Sequence, residues 1–305
     1  MLEAAVSHYV EMHRALGFKY RTQDLLLRNF AAFAEAQGDT TVRVDRVLDW
    51  AGNAPSAAQQ RNRLLTVRRF AIAMHLEDPA HEIPPADAFG HASFRRRIAH
   101  LYSAHDITRL IDAALQLKPQ GSIRPITYAT LFALLASTGL RISEALALTV
   151  SDITTDGLLI RDTKFRKSRL VPLHPTTRNG LDRYLSARAQ LAPLDAVLFI
   201  SQQGKPLPHS TVNGVFLKLA RAIGLRKGPG HRGPRLHDLR HTFAVRSLEQ
   251  CAGDNEAIAR HLHALSTYLG HACVSYTYWY LQATPILMAQ IAVAGETLYQ
   301  EGTIS

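Results

Sequence analysis

Apolar residues recur every three or four positions through "YVEMHRALGF", "DLLLRNFAAFAEAQG", "VDRVLDWAG" and "AAQQRNRLLTVRRFAIAMHL". That is helical periodicity, and it predicts an all-helical unit over 1–85 with no strand signal. The pattern breaks in "EDPAHEIPPADAFGHASFRRR", rich in Pro, Gly and Ala, which predicts a linker covering 86–102. Helical spacing resumes in "SAHDITRLIDAAL", where Ser103 is placed to cap the helix and Asp106 falls in its first turn. The nearly all-apolar "ITYATLFALLASTG" reads as a helix at the centre of a second unit, stopped by Gly139, with "RISEALAL" as a short helix after it. In "GLLIRDTKFRKSRLVPL" two Leu-rich and β-branched runs flank a basic turn, which predicts a small antiparallel sheet, and "VLFISQQGKPL" predicts one more short strand. The remainder returns to helices: "PTTRNGLDRYLSARAQL", "STVNGVFLKLARAIGL", "HDLRHTFAVRSLEQ", "DNEAIARHLHALSTYLG" and "TPILMAQIAVAG", with the basic loop "RKGPGHRGPR" between two of them. The expected fold class is therefore mainly α with a small antiparallel β-sheet, a helical unit followed by a mixed α/β unit over 103–305.

Length agrees with this division, since 305 residues make two units at roughly 150 residues per domain. A hydrophobic content of 47% with 20% charged residues describes a folded soluble chain, and no apolar run is long enough to span a bilayer. The opening "MLEAAVSHYVEMHRALG" mixes Glu, His and Arg among its apolar residues, so it reads as an amphipathic helix and not as a secretion signal. Cys251 and Cys273 have neither pairing nor metal-ligand spacing, which predicts free thiols in a cytoplasmic protein without membrane contact.

Charge adds a partner class. The formal net charge of +10 attracts a polyanion, and nucleic acid is the leading candidate. Arg61, Arg63, Arg68 and Arg69 interrupt the apolar stripe of the fourth helix, as expected of a helix with one face on a core and another on phosphates, or of a plain solvated face. Arg95, Arg96 and Arg97 close the linker and could lie on a DNA backbone.

Candidate chemistry sits at the edges of the elements of the second unit. Arg141 follows the helix-ending Gly139, Lys164 lies in the basic turn, and His237 and Arg240 are three apart in "HDLRH". His271 follows "LG", and Tyr280 comes nine residues later in "HACVSYTYWY". Arginine, lysine and histidine gathered round one tyrosine suit phosphoryl transfer from a diester, where catalysis is mostly positioning and charge stabilisation. Glu144, one helical turn after Arg141, is placed to hold that guanidinium, with a plain surface ion pair as the bland reading. "HDLRH" also has two histidines at the spacing of a zinc site with an acid after the first, so a zinc hydrolase is a competing class. His241 is a support for the site or a packing residue, while His261 and His263 read as structural.

The ordered motifs "TGLRISEAL", "TKFRKSRLVPL", "HDLRH" and "LGH" followed by Tyr280 resemble the tyrosine recombinases of the phage-integrase family. The resemblance implies a helical, SAM-like core-binding domain and a mixed catalytic domain that close round DNA as a C-shaped clamp. It places the two phosphate-binding arginines at Arg141 and Arg240, the turn lysine at Lys164, the histidine positions at His237 and His271, and the nucleophile at Tyr280. Tyr276 shares a helical face with Tyr280 and is the competing nucleophile, whereas Tyr278 and Trp279 read as packing or DNA-backbone contacts. The turn departs from the family's frequent glycine by carrying Phe165 and Arg166, so Lys167 stands as the alternative acid and Arg166 and Lys167 as further DNA contacts. The same resemblance implies cleavage through a 3′-phosphotyrosyl link without metal, ATP or cofactor, and four protomers on two duplexes carrying inverted-repeat sites. With no arm-binding module ahead of the first helical unit, the chain is expected to be a compact recombinase of the transposon, plasmid or chromosome-resolution kind. A DNA-binding protein that kept the fold without the chemistry is the remaining alternative.

Overall fold

The computed structural model describes residues 2–91, 99–161, 168–191, 197–228, 230–250, 255–270 and 277, with the side chains of 255–258 excepted. Within these residues eleven α-helices and one two-stranded sheet form two compact units, Met1–Arg96 and Arg97–Ser305. Among them no helix is long and apolar enough to cross a membrane.

The first unit holds α1 (Leu2–Ala15), α2 (Arg21–Glu35), α3 (Val44–Gly52) and α4 (Ala57–Glu77). Each carries an apolar stripe because its large hydrophobics recur at helical spacing, and the stripes meet in a core of Leu27, Phe30, Trp50, Leu64, Val67 and Phe70. Ser56 caps α4 by accepting from the Gln59 N–H. The chain after α4 stays on this unit: Glu82 N–H donates to the Val42 carbonyl, and Phe89 packs against the core. Four arginines on α4 divide by what they touch. Arg61 donates to the Phe89 carbonyl, and Arg63 donates to the Trp50 carbonyl at 2.9 Å with its guanidinium 4.9 Å from the Trp50 ring centroid. Arg68 is half-buried and Arg69 is exposed.

The second unit is built on α6 (Ile123–Thr138), whose buried residues cover nearly its whole circumference, as expected of a helix enclosed by others. Around it lie α5 (Ala104–Leu115), α7 (Ile142–Ala147), α8 (Pro175–Arg188) and α10 (Asp238–Glu249), while α9 (His209–Ala222) packs on α5 and α7. α5 starts with the full reciprocal cap, Asp106 N–H to Ser103 Oγ and Ser103 N–H to Asp106 Oδ2, both 3.0 Å. β1 (Leu158–Ile160) and β2 (Arg169–Val171) pair antiparallel, with Leu158 opposite Val171 and Ile160 opposite Arg169. α11 (Asn255–Leu269) completes a smaller core with α10 through Val245, Leu248, Leu262, Leu265 and Leu269. The start of the unit is fastened to α10: Tyr102 N–H donates to Thr242 Oγ1, its hydroxyl to the Arg235 carbonyl, and Arg246 donates to the Tyr102 carbonyl.

The further strand expected in "VLFISQQGKPL" does not form among the described residues. Val197 and Ile200 make only isolated bridges, to Thr149 and Pro206. The reason is competition for carbonyls. Buried Arg188 donates to Val197 O and Leu198 O, and the Tyr184 hydroxyl donates to Leu198 O as well, so side chains occupy acceptors that a strand neighbour would need.

Candidate active site

The site begins at the end of α6. Gly139 takes φ +61°, closing the helix in a left-handed cap, and a Cβ there would stand 2.5 Å from a ring carbon of Phe243. Only glycine lets the chain turn so close to α10. The turn delivers Arg141 to the N-terminus of α7, where its own backbone N–H donates to Glu144 Oε2 at 3.0 Å and its Nη1 to Glu144 Oε1 at 2.7 Å. From α10, Arg240 reaches into the same region, 2% exposed, donating Nη1 to the Gly139 carbonyl and Nη2 to the Leu269 carbonyl.

Those acceptors draw the two arginines together. Leu269 O, at the end of α11, accepts from Arg240 Nη2 at 2.7 Å and from Arg141 Nη1 at 3.4 Å, while Gly270 O accepts from Arg141 Nη2 at 3.1 Å. A helix C-terminus carries partial negative charge on its free carbonyls, so it is a natural seat for guanidinium groups. Arg240 is enclosed, whereas the Arg141 side chain keeps 33% of its surface open to solvent. The two guanidiniums therefore meet one short stretch of backbone, directly before His271 in the chain.

His237 is the residue before α10 and is exposed. Although the residue as a whole is exposed, partial desolvation of its ring and then the Arg240 and Arg235 cations lower its pKa, so the neutral, proton-accepting form is favoured. His241 lies behind it, ring centroids 4.9 Å apart and nearly perpendicular. Burial, then His237, pushes His241 down to about 4. Asp238 is 1% exposed and accepts from Arg235 N at 2.8 Å, Nε at 3.1 Å and Nη2 at 2.7 Å. The zinc-hydrolase alternative needs this carboxylate as a base, and here it is held by three donors. Among the described residues no cluster of three or more His, Cys, Asp or Glu is arranged to hold a metal ion. His261 bonds to Ser247 Oγ at 3.0 Å and joins α11 to α10, away from these contacts.

One participant escaped the sequence reading. Arg169, on β2, is only 10% exposed and sends Nη2 to Glu144 Oε2 at 2.8 Å and Nη1 to Glu144 Oε1 at 3.2 Å. Its Nε donates to the Tyr268 carbonyl at 2.7 Å. The available signal was its phase: Arg169 stands two residues before buried Val171 and shares its face of the strand, so it points to the core side, where a cation needs a partner. Glu144 sits between Arg141 and Arg169. Burial is the largest single influence on it and acts upward, but hydrogen bonds from Arg169 and the Arg141 backbone, with the adjacent charges, outweigh it and hold the carboxyl below its ordinary range.

Of the other residues singled out in the sequence, Lys164, Arg166, Lys167, Arg95, Arg96, Arg97, His271, Tyr276, Tyr278, Trp279 and Tyr280, like the segment "TPILMAQIAVAG", lie outside the described residues.

Comparison with known proteins is in keeping with this arrangement. The phage integrase family model matches residues 102–285. The Sinorhizobium fredii protein named integrase/recombinase y4rB is 41% identical over 98% of this chain and 98% of its own. Tyrosine recombinase XerC of Pseudomonas savastanoi pv. phaseolicola is 30% identical over 83% of this chain and 74% of its own. In fold, the chain is similar to the XerH site-specific recombinase bound to palindromic difH substrate, with a TM-score of 0.64 at 19% identity over 90% of this chain and 79% of that one. A match that spans more than half the chain, together with a relative similar from end to end, makes this chain a member of the phage integrase family and a site-specific recombinase of the tyrosine type.

Proposed function

We propose that the chain breaks and rejoins DNA strands through a 3′-phosphotyrosyl link to Tyr280. The observation that carries this reading is the meeting of Arg141 and Arg240 on the Leu269–Gly270 carbonyls, one residue before His271. Two fixed guanidiniums can grip the non-bridging oxygens of a phosphodiester and stabilise the charge that builds as the phenolic oxygen bonds to phosphorus. A free phenol has a pKa of about 10, so the attack needs a base. His237 or His271 accepts the phenolic proton, and the lowered pKa of His237 favours the form that can do so. As the bond from phosphorus to the 5′ oxygen breaks, Lys164, or Lys167 in the same turn, gives that oxygen a proton. A 5′ hydroxyl from a second strand then attacks the phosphotyrosine, reverses the step and leaves the strands exchanged, with the phosphodiester's energy kept throughout.

The partner in this reading is double-stranded DNA with inverted-repeat sites, and the assembly is four protomers on two duplexes. The structurally similar lambda integrase tetramer bound to a Holliday junction supports that stoichiometry. Arg69, which is exposed, and the basic run Arg95, Arg96 and Arg97 are the candidate contacts to the DNA backbone.

Tyr280→Phe removes one oxygen and little packing area. It is expected to abolish covalent attachment to DNA while binding stays within a few-fold of the parent, and Tyr276→Phe is expected to stay active. An adduct that survives in the Tyr280 variant and vanishes in the Tyr276 variant would move the nucleophile to Tyr276.

A further inference from the structure

We infer that Arg169 is a positioning residue for phosphate binding, keeping Arg141 both in place and positively charged in effect by sharing Glu144 with it. The inference rests on the reading of Arg141 as a phosphate-binding side chain. Arg169 touches two of the three groups that hold Arg141, Glu144 and Gly270. It grips Glu144 with two guanidinium nitrogens, at 2.8 and 3.2 Å, and it also packs against Gly270, whose carbonyl accepts from Arg141 Nη2. The packing is close: Gly270 has φ +65°, and a Cβ added there would lie 2.7 Å from Arg169 Nη1. The bond from Arg169 Nε to the Tyr268 carbonyl fixes the last turn of α11 on the same side chain.

The charge count gives the chemical reason. One carboxylate lies between two guanidiniums, so the cluster is positive and Arg141 has attraction to spare for a phosphate. Without the Arg169 cation, Glu144 and Arg141 form a neutral pair, and the carboxylate competes directly with the phosphate for the same guanidinium. Both Nη atoms of Arg169 bond the Glu144 carboxylate, which lies between Arg169 and Arg141, so Arg169 acts through Arg141. Arg169 also starts β2, and Lys164 precedes it by five residues in the chain.

The test compares natural DNA with DNA bearing one methylphosphonate at the cleavage site. There a methyl group replaces a non-bridging oxygen and removes the negative charge that Arg141 would meet. Single-turnover adduct formation and DNA affinity are measured for the parent, Arg141→Ala, Arg169→Met, Arg169→Lys and the double variant Arg169→Met with Glu144→Gln. On natural DNA, Arg169→Met is expected to form adduct on the order of 100-fold more slowly, the scale of loss that follows from misplacing a catalytic group by about an ångström. Its affinity should stay within a few-fold of the parent. Adding Glu144→Gln should recover part of the rate, because the neutral amide no longer cancels Arg141. On methylphosphonate DNA the deficits of Arg141→Ala and Arg169→Met should both shrink. If the Arg141→Ala deficit shrinks and that of Arg169→Met persists, Arg169 is an ordinary structural residue and the inference is overturned. If the Arg141→Ala deficit is the same on both substrates, the assignment of Arg141 falls and the role of Arg169 falls with it. Should Arg169→Met not fold, Arg169→Lys, which keeps the charge and loses the fork, carries the same two-substrate comparison.

Discussion

His241 shows how one side chain couples the site to pH. In an unfolded chain its imidazole takes up a proton near the ordinary value of 6.5, but in the folded protein not until about 4. A depressed pKa means that the unfolded state binds the proton more readily. The stability contributed by neutral His241 is therefore fully present above 6.5 and is lost as pH falls from there towards 4. His241→Phe keeps a ring and removes the titration, so its urea midpoint should fall less between pH 7 and pH 5 than that of the parent; equal falls would show that His241 is not the linked group. Residues differ in how far their neighbours alone reveal them. Glu144 was legible because its partner Arg141 is three positions away, within reach of helical spacing. Arg169 was not, because in the string "TKFRKSRLVPL" it reads as one more cation of a basic turn. Only the fold brings it to Glu144, 25 residues back along the chain.

Elements were legible where local chemistry decides them. The Ser103 and Asp106 cap and the glycine stop of α6 need no knowledge of the rest of the molecule. The strand expected in "VLFIS" failed for the opposite reason, since the side chains of Arg188 and Tyr184, from a preceding helix, take the carbonyls that would have extended the sheet. Gly139 belongs to both classes. Its stop signal is local, but its crowding against Phe243 is tertiary. Gly139→Ala is expected to cost about 1–3 kcal/mol through the left-handed φ, plus the steric contact with Phe243. Combining it with Phe243→Leu should restore the part due to contact and leave the part due to φ, as read by thermal unfolding. Full restoration would mean that the backbone conformation costs nothing at this position.

For the whole molecule, a net charge of +10 predicts binding to DNA that weakens steeply with salt, by about 0.9 in log affinity per log salt for each phosphate neutralised. On the proposed reading, the arginines of α4 differ in what they have left to offer a phosphate. Arg69→Ala should reduce that slope by about one phosphate's share, because the side chain is exposed. Arg63→Ala should leave the slope unchanged and lower the melting temperature instead, since its guanidinium is spent on Trp50. A slope that changes with Arg63 and not with Arg69 would reverse the assignment. The main-chain acceptors of the arginines matter differently again. Gly139 O and Leu269 O receive Arg240, and Leu269 O and Gly270 O receive Arg141. A carbonyl is present whichever amino acid a codon specifies. Replacing Leu269 by another apolar residue therefore alters packing without deleting the acceptor, and the proposed reaction centre is sheltered from one kind of mutation to which side-chain anchors are open. In a lineage of such enzymes, surfaces that read different DNA sites could be rewritten by ordinary point changes while this backbone cradle was inherited intact.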